Sequence, residues 1–133
     1  MVPILLIASV FGLASAPCVT AKRASHGVIF CTANDVSFKL VGRTTGGKYS
    51  VYDYRYKFRP HSSGAVHGGQ RLIVFRGRSY VGNYMLQPVL KMVVRGTQVV
   101  LKGQEHKQSV RLDFSRTPPR QILVNGEDET FSR

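Results

Sequence analysis

The segment Tyr52-Asp53-Tyr54-Arg55-Tyr56-Lys57-Phe58 alternates without a break, aromatic on one parity and charged on the other. Successive side chains of an extended strand point to opposite sides, so only a strand separates such rows cleanly; a helix would mix them around its circumference. The segment is therefore expected to be a half-buried strand. Its rings should face a dry interior, and Asp53, Arg55 and Lys57 should face water. No stretch beyond Ala21 sustains a 3.6-residue apolar period, whereas short alternating runs bounded by glycine recur throughout.

Read on that basis, Gly27 to Cys31 is a first strand, preceded by a loose stretch from Lys22 to His26. Val36 to Val41 follows, with Val36, Phe38 and Leu40 on one face and Ser37 and Lys39 on the other. Thr44-Thr45-Gly46-Gly47 supplies a hairpin turn into the strand Lys48 to Phe58. The polar, glycine-rich residues 59–69 read as a long loop. Leu72 to Phe75 is apolar on both parities and reads as a central strand; Tyr80, Gly82, Tyr84 and Leu86 are expected on one face of the next. Two more hairpins are expected: Leu90 to Val94 with Val99 to Leu101, then Val110 to Phe114 with Ile122 to Val124 across Pro118-Pro119. The segments Val74-Phe75-Arg76-Gly77 and Val93-Val94-Arg95-Gly96 end in the same way, as two similar turns would. Eight or nine short strands in 133 residues predict an all-β domain, an antiparallel meander closed as a small barrel or folded as a sandwich.

Residues Ile4 to Leu13 form an apolar run, followed by Ala14, Ser15 and Ala16. This is the layout of a cleavable export signal, too short to span a bilayer. It divides the chain into a signal segment 1–21, a single β-domain 22–126 and an acidic C-terminal tail 127–133. Cleavage after Ala14, Ala16 or Ala21 is open, because Pro17 follows Ala16. The position decides the sulfur chemistry: Cys18 and Cys31 can form a disulfide only if Cys18 is retained.

The formal charge is +12, and ahead of Glu127 eighteen bases face only Asp35, Asp53, Glu105 and Asp113. A field of that sign concentrates anions. The densest bases are Arg55, Lys57 and Arg59, with Arg71, Arg76 and Arg78 soon after. If the strands flanking the 59–69 loop pair, these six could share a cationic stripe facing phosphates or carboxylates. The rings lie on the parity opposite the charges, which suits core packing and argues against stacking on nucleic-acid bases.

Catalytic and metal signatures are missing. His26, His61, His67 and His106 match no zinc spacing, the glycine pairs precede strands and not helices, and no serine sits in a nucleophile elbow. The expectation is an exported protein without enzymatic activity, cofactor or metal, binding an anionic surface or macromolecule: lipid head groups, polysaccharide or an acidic protein. Two alternatives stand beside it. One is an interaction or inhibitor module docking through residues 59–69; the other is a carrier of a small apolar ligand among Tyr52, Tyr54, Tyr56, Tyr80 and Tyr84.

Overall fold

The computed structural model describes residues 16–26, 30–59, 64–86, 90–103, 109–124 and 126–133. The order is helix α1 (Ala16–Ala24), then β1 (Asp35–Arg43), β2 (Ser50–Phe58), β3 (His67–Arg76), β4 (Ser79–Leu86), β5 (Lys91–Arg95), β6 (Gln98–Lys102), β7 (Ser109–Asp113), β8 (Gln121–Val124) and β9 (Glu127–Thr130). All pairings are antiparallel. β1-β2-β3-β4 form one sheet, β5-β6-β7 a second and β8-β9 a third, with no closed barrel among the described residues.

Glycine places three of the turns. Gly77 (φ 61°), Gly96 (φ 59°) and Gly126 (φ 81°) each sit in a two-residue loop, where the left-handed region closes a hairpin at no Cβ cost. The two similar Arg-Gly endings are two of these turns. Between β1 and β2, the Thr44 amide donates to the Tyr49 carbonyl, and the Tyr49 amide donates back to the Thr44 hydroxyl.

The main core lies where the sheets meet. Val51, Leu72, Val74, Tyr84 and Leu86 come from the first sheet, Met92, Val99, Leu101 and Leu112 from the second, and Ile122 and Val124 from the third. A second cluster occupies the opposite face of the first sheet: Tyr54, Ile73, Phe75 and Tyr80 under Ala21 of α1 and Phe30. Phe30 meets the Tyr54 and Tyr80 rings edge-on, the geometry ring quadrupoles favour.

This second cluster corrects several expectations. The rings of β2 do share a side, but it is the side under α1; the main core takes the other parity through Val51, and Asp53 and Arg55 continue that parity at the core's margin. Both faces of β2 are packed because it is an interior strand of a sheet covered on two sides. Tyr80 joins the α1 side while Tyr84 and Leu86 join the main core, because the register slips between Val74 and Phe75; one bulged residue flips all later side chains. Val36 and Leu40 are 57% and 43% exposed, since β1 is an edge strand with register shifts at each end of Ser37–Leu40. Phe30 and Cys31 lie outside any strand, and residues 27–29 lie outside the described residues.

Both ends of the described stretch, at Ala16 and at Arg133, are also built in. Lys22 to Ala24 belong to α1, whose Cys18 is bonded to Cys31. The signal segment expected ahead of it falls mostly on residues 1–15, outside those described. β7 pairs with β6 and not with β8, while the acidic stretch expected as a tail supplies β9. Phe131 then packs on the Tyr84 ring at 4.8 Å, Ser132 bridges Asn83 of β4, and the Arg133 carbonyl accepts from the His26 amide. A four-residue acidic segment becomes a strand because the turn at Gly126 aims it at a partner and the residues after it are anchored.

Candidate anion-binding surface

The six bases singled out by sequence occupy three places. Arg55 lies on the main-core side of β2, its Nη2 3.1 Å from Asp53 Oδ2. Asp53 also accepts from Gln70 Nε2 at 3.0 Å, so Arg55 belongs to a small network at the margin of the core. Lys57 and Arg59 follow, both exposed, with Lys57 opposite Gly68. Arg71 is on the other face, directly opposite Tyr54, where Nη1 donates to Asn83 Oδ1 at 2.9 Å. Arg76 and Arg78 are exposed at the far end of β3 and in its turn. The flanking strands pair as expected, yet their register sets Lys57 and Arg76 roughly 25 Å apart, at about 3.4 Å per residue. One shared stripe is therefore not formed by these six.

A denser array lies on the outer face of the second sheet. Met92, Leu101 and Leu112 alternate inward, which turns Lys91, Arg95, Lys102 and Arg111 outward; all four are exposed. Lys91 and Lys102 are direct cross-strand partners, with Cβ atoms on the order of 5 Å apart, where like charges repel. Arg111 sits one row away, opposite Val100, and Arg95 lies four residues along β5. Asp113 shares this face, opposite Gln98. Its carboxylate accepts from the Ser115 amide at 2.9 Å, and hydrogen bonding to Ser115 holds its pKa below the usual carboxylate range.

These four residues were missed by sequence reasoning, which ranked clusters by spacing along the chain. The signal was present: once Gly96 fixes the turn, counting back from Arg95 opposite Gln98 puts Lys91 opposite Lys102. Lys48, a base in an exposed setting, is by contrast engaged, donating to the Arg116 carbonyl at 2.6 Å.

The tyrosines considered for ligand carriage are split between the two faces. Tyr54 donates to Asp35 Oδ1 at 2.5 Å, and burial first, then Asp35, push its phenol far above the ordinary value. Tyr84 donates to the Pro119 carbonyl at 2.5 Å from within the main core, and burial raises its pKa likewise. An open depression lies elsewhere, lined by Arg120, Gln121, Thr130 and Phe131. Of the histidines, His26 is exposed, His67 stacks near Phe58, and His61 and His106 are outside the described residues. The sulfurs of Cys18 and Cys31 lie with an Asp35 oxygen within 4.8 Å of one another, but a disulfide offers no thiolate to a metal. Comparison with known proteins gives no matching family model, no curated relative and no solved structure.

Proposed function

We propose that the protein is an exported, non-enzymatic β-domain whose basic outer face on β5-β6-β7 binds an anionic surface or macromolecule. The observation that carries this reading is the Lys91–Lys102 pair. Two like charges placed directly opposite cost the fold stability, and an anion bridging them removes that cost. Arg95 and Arg111 extend the same exposed face, and the chain's overall +12 charge steers anions toward it. The Cys18–Cys31 disulfide is compatible with an oxidising compartment.

Retention on heparin and on anionic vesicles, measured as salt rises, tests the reading against simple net charge. Reversing Lys91, Lys102 and Arg111 to Glu should abolish retention at moderate salt. Reversing Lys57, Arg76 and Arg78 changes the total charge equally and should weaken retention much less. Equal losses from both sets would remove the β5-β6-β7 face as the site. A second reading, docking of a protein through residues 59–69, of which 67–69 belong to β3 and not to a loop, draws on Phe58 at the end of β2 and Val66 ahead of β3, 39% and 53% exposed.

A further inference from the structure

We propose that the leader is removed after Ala14, so that the exported protein begins at Ser15 and keeps Cys18 and all of α1. The proposal rests on the export reading above. Three small residues, Ala14, Ala16 and Ala21, end plausible cleavage sequences, and the fold distinguishes among them.

A cut after Ala21 removes what holds the N-terminal side of the first sheet together. It deletes Cys18 and with it the bond to Cys31. It also removes Ala21, fully buried among Phe30, Tyr54, Ile73, Phe75 and Tyr80, and leaves three residues of a nine-residue helix. Those aromatics would then face water. Cys31 would be left as a free thiol close to Asp35, whose Oδ2 lies 3.9 Å from the departed Cys18 sulfur.

A cut after Ala16 places Pro17 immediately beyond the scissile bond. Proline lacks the amide hydrogen and fixes φ, which hinders the extended, backbone-paired binding by which peptidases hold a substrate. A cut after Ala14 keeps Cys18 and Ala21 and leaves Ser15, not proline, beyond the scissile bond. Gly12 and Ala14 are small residues on either side of Leu13, as the cleavage pattern asks. Pro17 then falls in the first turn of the retained α1, where proline is tolerated.

The test is the intact mass of the product exported when the full 133-residue chain is expressed in a secreting host, read before and after reduction. The expected species is 15–133, gaining two hydrogens on reduction. A product beginning at Pro17 or Lys22 would overturn the assignment and leave export standing. A chain that stays inside the cell with residues 1–14 attached would overturn the export reading itself. Ala14→Leu should eliminate the Ser15 terminus; its persistence would also overturn the assignment.

Discussion

Replacing Lys91 by Glu separates the cost of the cationic face from its use. In the folded protein the substitution turns a directly opposed Lys91–Lys102 pair into a Glu–Lys pair. Relief of repulsion and gain of attraction are each worth about 0.2 to 1 kcal/mol at such positions, so Lys91→Glu should raise stability by about 1 kcal/mol. Equilibrium urea unfolding should then show a midpoint higher by roughly 0.5 M, with unchanged slope, for m near 2 kcal/mol/M. At 1 M salt, where the screening length is about 3 Å, the gain should shrink toward zero. Binding should move the opposite way. One positive charge is lost and one negative gained, and with about 1 kcal/mol per charge near an anionic bilayer the loss is about 2 kcal/mol, roughly 30-fold in affinity. Lys91→Gln should give about half of each effect. Destabilisation of the variant would refute the proposed energetic cost of the facing lysines. Higher stability with unchanged vesicle affinity would refute the face as the contact.

Gln70 is fully buried, and its amide both donates to the Leu90 carbonyl and accepts from the Leu90 amide at 2.7 Å, while also donating to Asp53. Gln70→Leu strands both buried Leu90 groups, so a loss of about 3 kcal/mol is expected in urea unfolding; a change within about 0.5 kcal/mol would disprove the role of this clamp. A Cβ on Gly82 would lie 2.7 Å from the Ser132 carbonyl. Gly82→Ala should therefore displace the C-terminal segment and cost roughly 1 to 3 kcal/mol, with faster amide exchange at Asn83 and Ser132 as the readout. Burial raises the pKa values of Tyr54, Tyr80 and Tyr84 above the ordinary phenol value. A raised folded pKa contributes stability that is complete below the unfolded value, about 10, and is lost as pH rises beyond it. Alkaline titration should accordingly show these three phenols ionising together with unfolding, and their ionisation in the intact fold would contradict the packing.

How far the sequence was legible follows from which forces are local. The alternation in Tyr52–Phe58, the glycine turns at Gly77, Gly96 and Gly126 and the central position of β3 are written in period and turn chemistry, and all are present. Which side of the alternation faces the main core is a tertiary matter. Periodicity records two faces and not what covers each: a dry side for the rings of β2 is legible in the alternation, but that it lies under α1 and Phe30, with the main core on the other parity, is not. The slip between Val74 and Phe75 that sends Tyr80 one way and Tyr84 the other leaves no composition signal. The acids Glu127, Asp128 and Glu129, poor strand formers, suggest a tail, whereas the pairing of β9 with β8 is set by the turn before it. The six nominated bases were close in sequence; the array on the second sheet becomes visible only once register is known.

The location of that array has a physical reason in how the sheets are used. The first sheet commits both faces to folding, one to the main core and one to the cluster under α1. Bases there must sit at margins, as Lys57 and Arg76 do, or find partners, as Arg55 does with Asp53 and Arg71 with Asn83. The second sheet gives its inner face to the core, through Met92, Val99, Leu101 and Leu112, and on its outer face buries Val100 among the bases that surround it. The Lys and Arg on its outer face remain exposed, at the cost of mutual repulsion of about 1 kcal/mol or less per facing pair. Against a typical domain stability of about 5 to 15 kcal/mol, that penalty is tolerable. Among the described residues, the outer face of the second sheet thus gathers exposed bases on three adjacent strands, and charge concentrated there can meet a flat or extended anion without disturbing the core beneath it.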